Sequence, residues 1–174
     1  MISLHDLEFL QSTQGEALLD DLATEDLVES RTLPLLTRLR KTYTPQQASA
    51  ALAMARLRAN AITKFGDDAQ RMFFTDAALQ QASDPLVRQY RAQGLDVQSI
   101  ADMCCGIGAD SLAFAQNGLQ VLGIDIDPVR IAIARLNAEA LTLPNVNFAV
   151  RDVLQVDVNS YEAVFFDPAR RDDS

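Results

Sequence analysis

The residues best placed to do chemistry lie between Ile100 and Pro128, in the stretch IADMCCGIGADSLAFAQNGLQVLGIDIDP. Gly106 and Gly108 lack a Cβ, so the chain can turn tightly there and bring its backbone close to a ligand. Asp125 follows the apolar run Val121-Leu122-Gly123-Ile124. A carboxylate at the carboxyl end of a parallel strand can accept hydrogen bonds from both hydroxyls of a ribose. Glycine turn, helix, strand and terminal acid, in that order, suit a nucleoside cofactor. A dinucleotide is less well served, because the Gly-x-Gly-x-x-Gly pattern needs a third glycine where Ser111 stands.

Regular elements must position these groups. Ile100 to Met103 is a short apolar run that suits a parallel strand covered on both faces. Ala109 to Gln116 has helical spacing, and Asn117-Gly118 supplies a C-terminal stop. Val121 to Ile124 reads as the next strand. Asp127 then caps a helix running from Val129 to Leu141, with Pro128 at its start. Another apolar run, Val146 to Val150, precedes Arg151-Asp152-Val153. The plain alternative for Asp102, Asp125 or Asp152 is that each merely caps the helix that follows it.

With these residues in view, the segment resembles the front half of a class I S-adenosylmethionine (SAM)-dependent methyltransferase. The loop Asp102-Met103-Cys104-Cys105-Gly106-Ile107-Gly108 is similar to that family's first motif, although Cys104 replaces the commoner first glycine. The ending Cys-Gly-x-Gly resembles RNA-modifying members, notably the 5-methyluridine methyltransferases and the cap guanine-N2 (trimethylguanosine synthase) enzymes. The resemblance implies SAM as cofactor, with Asp102 holding its methionine end, Asp125 its ribose and Asp152 its adenine amino group. It also implies an apolar cleft formed by Ile107, Ile126 and Val153. Val164-Phe165-Phe166-Asp167-Pro168-Ala169-Arg170 is similar to the fourth motif, beside the methyl group. Asp167, Pro168 and Arg170 are the expected catalytic residues, while Cys104, Gly106 and Gly108 complete the cofactor loop. Amino-methylating relatives carry Asp-Pro-Pro and an aromatic; here Ala169 and Arg170 stand instead, so N- and C-methylation both stay open. The expected fold is α/β: strands 1–4 of a Rossmann-like methyltransferase sheet, preceded by an α-helical region.

Composition narrows the class. With 174 residues, 48% of them hydrophobic, the chain has room for one domain plus an appendage. Its apolar runs are too short to span a bilayer and its start lacks a basic lead, so a cytoplasmic protein is expected, with no membrane partner. The two cysteines are neighbours, and with one distant His5 they cannot build a zinc site, so no metal is expected. A net charge of −9 argues against indiscriminate phosphate binding. The charge is uneven, however: no Lys or Arg precedes Arg31, whereas eight basic residues between Arg31 and Arg71 face only Asp67 and Asp68. Two readings of that block stand side by side: an RNA footprint, or acidic and basic helices that pack on each other or are solvated.

Residues 1–95 read as helix after helix, and 96–174 as the N-terminal half of the SAM-binding domain. Thr44-Pro45 opens a long breaker-free helix that Gly66 ends, with Leu52, Ala55, Leu57 and Ile62 on one buried face. Lys64-Phe65-Gly66 through Thr75 resembles the approach segment of bacterial SAM methyltransferases with a THUMP-like C-terminal domain. Phe73, Phe74 and Thr75 are therefore candidates for a substrate wall; the alternative is an aromatic pair buried in the core. The resembled sheet continues for three more strands, so a fragment is expected, with its fourth strand an open edge. Three functions remain: RNA methylation, methylation of a small molecule or protein, and SAM binding without turnover.

Overall fold

The computed structural model describes residues 2–168. The chain divides into two compact units, Met1–Asp76 and Ala77–Ser174.

The first unit is helical: α1 (Leu4–Leu10), α2 (Thr13–Ala23), α3 (Thr32–Leu39) and α4 (Pro45–Phe65). Ser3 and Thr44 open α1 and α4 with reciprocal caps, each hydroxyl accepting the backbone N–H three residues on. The other three helices pack on α4. Ala48, Ala51 and Ala55 are buried there, and small residues let neighbouring helices approach closely. Gly66 ends α4 at φ 60°, a conformation that favours glycine. Leu52, Ala55 and Leu57 are buried as expected, but Ile62 is 44% exposed. It borders a surface groove with Leu19, Ala23 and Leu27 instead of entering the core.

Much of the basic block is engaged inside this unit. Arg38 pairs with Asp21 at 3.1 Å and with Glu25. Arg56 donates to the carbonyls of Leu27 and Val28. Arg58 donates to the Met72 carbonyl at 2.9 Å and lies 5.0 Å over the Phe73 ring. Arg71 bonds Asp68 at 2.6 Å. These four cations thus have partners inside the unit, Arg38 with acids of another segment, Arg56 and Arg58 with backbone carbonyls, and Arg71 within its own turn; Arg31, Arg40 and Lys41 are exposed.

The second unit holds α5 (Asp76–Gln81, starting at the junction), α6 (Pro85–Gln93), β1 (Ser99–Met103), α7 (Ala109–Gln116), β2 (Gln120–Asp125), α8 (Pro128–Ala140), β3 (Val146–Val150) and β4 (Ala163–Phe166). The four strands form an all-parallel sheet in the order β3-β2-β1-β4. This doubly wound α/β arrangement is the Rossmann-like fold expected of the sequence. α5 and α6, part of the helical region expected over 1–95, are grouped with the sheet. Helical crossovers join β1 to β2 and β2 to β3 and return the chain to the same starting edge, which makes those pairings parallel; between β3 and β4 the chain carries only a 3-10 turn over Val153–Gln155. One face of the sheet buries Ala101, Met103 and Ile124, with Val153, Val156, Val158 and Tyr161 packed against them. β4 lies at one edge of the described strands, with Val164 and Phe166 exposed.

Gly123 in β2 is demanded by packing: a Cβ there would sit 2.4 Å from the Phe148 ring of β3. Gly123→Ala should therefore destabilise the fold by about 1–3 kcal/mol, the usual cost of overpacking. Trimming the ring as well, in Gly123→Ala with Phe148→Leu, should recover part of that loss in urea unfolding.

Candidate functional site

Parallel pairing sends every strand's carboxyl end to the same edge. Asp102, next to last in β1, is level with Gly123 of β2 and Phe165 of β4. Asp125 closes β2, Asp152 lies two residues after β3, and Asp167 directly follows β4. The chain between β1 and α7 wraps a cavity of about 530 Å³ at this edge. That volume is in the usual range for a small-molecule site. Asp102, Cys104, Gly106, Ile107, Asp167 and Pro168 all line it.

The loop owes its shape to three left-handed residues: Cys104 at φ 72°, Gly106 at φ 57° and Gly108 at φ 84°. Cys104 thus occupies a conformation better suited to the glycine it replaces. Gly108 opens α7, and a Cβ there would meet the Phe148 ring at 3.0 Å and Ala134 at 3.2 Å. Asp125 latches the loop: its Oδ2 accepts the Gly106 N–H at 2.9 Å, while its Oδ1 accepts the Asp127 N–H at 2.9 Å. A carboxylate has about four acceptor positions, so capacity is left for a ligand hydroxyl. Arg130 stands 3.9 Å from Asp125 and 3.6 Å from Asp127. Asp127 caps α8 through the N–H groups of Val129 and Arg130, as its sequence position implied.

The other expected residues are arranged less tightly. Asp125 and Asp152 are both outside the cavity lining; Asp152 accepts the Leu154 N–H at 3.0 Å, capping a short 3-10 turn. Val153 packs against the sheet core. Ile107 is buried, whereas Ile126 is 71% exposed. Phe73 and Phe74 are buried in the helical unit, with Phe74 5.3 Å from Phe65, and Thr75 is half-buried. Arg170 lies outside the described residues, as does Arg171.

Charge at the cavity is dominated by carboxyls. Asp102 is 2% exposed and accepts a hydrogen bond from the Ser111 hydroxyl. Burial pushes its carboxyl up to about 7, with Asp110 and Asp167 adding to the rise and the Ser111 bond opposing it. Burial also raises Asp110, against the pull of Arg91. Both thiols are raised, chiefly by burial with Asp102 and Asp125 nearby, so neither cysteine is a ready nucleophile. These groups fit SAM: the glycine loop admits a ligand close to the backbone, and carboxyls face the space where cationic groups would sit.

Sequence reasoning passed over Arg91, Ser83 and Asp110. Arg91 Nη1 lies 3.0 Å from both Ser83 Oγ and Asp110 Oδ1, and 3.9 Å from Asp167 Oδ2. Its guanidinium also covers the Phe165 ring at 5.2 Å. A lone arginine late in a short helix carries no local signal; only folding brings α6 beside α7 and β4.

The proton on Asp102 has a measurable consequence. The folded chain holds it up to about pH 7, whereas the unfolded chain releases it near 3.8. The folded state binds the extra proton between those values, so this stabilisation is complete below the lower one and is lost as pH rises through the upper. Urea unfolding at pH 5 and pH 8 should show a fall in stability for the wild type that Asp102→Asn reduces. An equal fall in both proteins would contradict the assignment.

Comparison with known proteins bears on the same segment. Residues 100–168 match the family model described as a methyltransferase domain, and residues 3–61 match a domain of unknown function. An uncharacterized S-adenosylmethionine-dependent methyltransferase of Mycobacterium tuberculosis is 38% identical over 120 residues, covering 66% of this chain and 33% of that protein. The 23S rRNA (uracil(747)-C(5))-methyltransferase of Yersinia pestis is 34% identical over 105 residues, covering 59% of this chain and 28% of that one. The chain thus spans about a third of the length of the curated relatives it matches. Among solved structures, the Pyrococcus abyssi tRNA (uracil-54, C5)-methyltransferase in complex with S-adenosyl-L-homocysteine aligns with a TM-score of 0.45. It is 24% identical, over 55% of this chain and 23% of that one. Residues 100–168 thus combine a Rossmann-like fold and a strand-end cavity with a sequence match to a methyltransferase domain, and the matched mycobacterial relative is named as S-adenosylmethionine-dependent.

Proposed function

We propose that the chain carries the cofactor-binding part of an enzyme that transfers a methyl group from SAM to RNA. The observation that carries this reading is the cavity at the strand ends, where Asp102 and Asp167 face one space walled by the glycine loop. When bound, the cofactor supplies an electrophilic methyl group on a sulfonium; the protein's work is to hold two reactants in line. Asp102 takes the cationic amino group, Asp125 the ribose hydroxyls, and Asp152 with Ile126 and Val153 the adenine. Cys104, Gly106 and Gly108 shape the loop around the ligand. Asp167 and Pro168 stand on the acceptor side, where Arg170 contributes a guanidinium able to stack on a base or grip a phosphate.

The RNA acceptor is supported by likeness to the 23S rRNA enzyme and by the Cys-Gly-x-Gly loop. The finer resemblance, to enzymes with a THUMP-like C-terminal domain and to cap guanine-N2 enzymes, belongs to this same reading. A second reading, transfer to a small molecule or protein, is favoured by the net charge of −9. It is favoured too by the internal pairing of Arg38, Arg56, Arg58 and Arg71.

Calorimetry and transfer of labelled methyl test the roles. Asp125→Ala should weaken SAM binding on the order of tenfold or more, as expected for lost hydrogen bonds to a charged group. Asp167→Ala should depress transfer far more than it depresses binding. Normal SAM affinity in Asp125→Ala would break the assignment of the strand ends. Gel shifts with total cellular RNA at 50 and 200 mM salt separate the acceptors, since phosphate contacts predict a steep loss of binding at about these concentrations. Salt-independent behaviour, or no shift at all, favours the second reading.

A further inference from the structure

We propose that Arg91 sets how strongly the cavity prefers a positively charged sulfonium over the uncharged thioether left after methyl transfer. It does so by partly neutralising Asp110 and Asp167, two of the three carboxyls that face the cavity. This rests on the reading of the cavity as the cofactor site, and it concerns a residue with no place in the motifs.

The geometry is specific. Asp102, Asp110 and Asp167 all line the same space. Asp110 and Asp167 both disfavour ionisation of Asp102, and Asp167 disfavours that of Asp110. The Arg91 guanidinium stands against both Asp110 and Asp167, bonded to Asp110 at 3.0 Å and 3.9 Å from Asp167. Ser83 and the Phe165 ring hold it in place. The other nearby cations are committed differently. Arg130 lines the cavity but lies against Asp125 and Asp127, and Arg88 acts on Asp110 and Asp84. Removing Arg91 therefore adds one unit of uncompensated negative charge to the wall that Asp110 and Asp167 form.

A cation bound anywhere in this space feels that sum, whereas a neutral ligand of the same shape does not. SAM and S-adenosylhomocysteine form that pair. They share the adenosine, the amino group and the carboxylate, and they differ in the methyl group and its positive charge. The guanidinium therefore lowers the preference for the charged form, so SAM is held less tightly relative to the product than it would be without Arg91. One added unit of uncompensated charge several ångströms away, at the effective dielectric of a partly open site, corresponds to roughly tenfold in relative affinity.

Calorimetric titration of SAM and of S-adenosylhomocysteine into wild type, Arg91→Gln, Arg91→Lys and Asp110→Asn tests this without any acceptor. The preference for SAM should rise roughly tenfold in Arg91→Gln, stay near wild type in Arg91→Lys, and fall in Asp110→Asn. If Arg91 were only a strut between helices, its loss would weaken both ligands equally; an unmoved ratio overturns the inference alone. Should Arg91→Gln fail to fold, an unchanged ratio in Asp110→Asn overturns it just as well. Binding of neither ligand by the wild type overturns the cofactor reading and this inference together.

Discussion

Every feature of the site depends on the parallel register of β1 between β2 and β4. Pairing Asp102 with Gly123 on one side and Phe165 on the other aligns three strand ends within a residue or two. Were β1 to slip by one residue, alternate side chains would exchange faces, taking Asp102 away from the cavity and bringing an apolar neighbour into its place. The register is held by burial on both faces of β1, where Ile100, Ala101 and Met103 are all withdrawn from water. A carboxyl inserted into such a strand is costly, and the Ser111 hydroxyl offsets only part of the desolvation.

The same close packing explains the glycines. Phe148 of β3 lies against both Gly108 and Gly123, so one ring sets the approach of the loop to β2. Asp125 then ties the loop back through the Gly106 N–H. Loop shape, strand packing and the carboxylate are therefore one coupled arrangement, and Cys104 tolerates its left-handed backbone because its neighbours determine where it must lie.

Much of this is legible in the sequence. The helix over Ala109–Gln116 and the strand over Val146–Val150 are found at the expected residues, because caps, glycine stops and apolar runs are local signals. Ile62 departed from its expected face because periodicity records which residues share a side of a helix, not how far the neighbouring helices cover it. Phe73 and Phe74 share the fate of most paired aromatics, which is burial. The basic block could not be interpreted from its charge count: the partners of Arg56 and Arg58 include backbone carbonyls, which every sequence has.

The sequence by itself determined the alternation of strand and helix, the glycine loop and the acids that close the strands. Those follow from side-chain period, backbone freedom and capping, all of which act over a few residues. Only the tertiary structure decided which acids share a cavity: Asp102, Asp110 and Asp167 do, while Asp125 ties back the glycine loop and Asp152 caps its own turn. It alone, too, brought Arg91 from a separate helix to Asp110. Electrostatic fields and desolvation act through space, so their strength depends on distances that no spacing along the chain encodes.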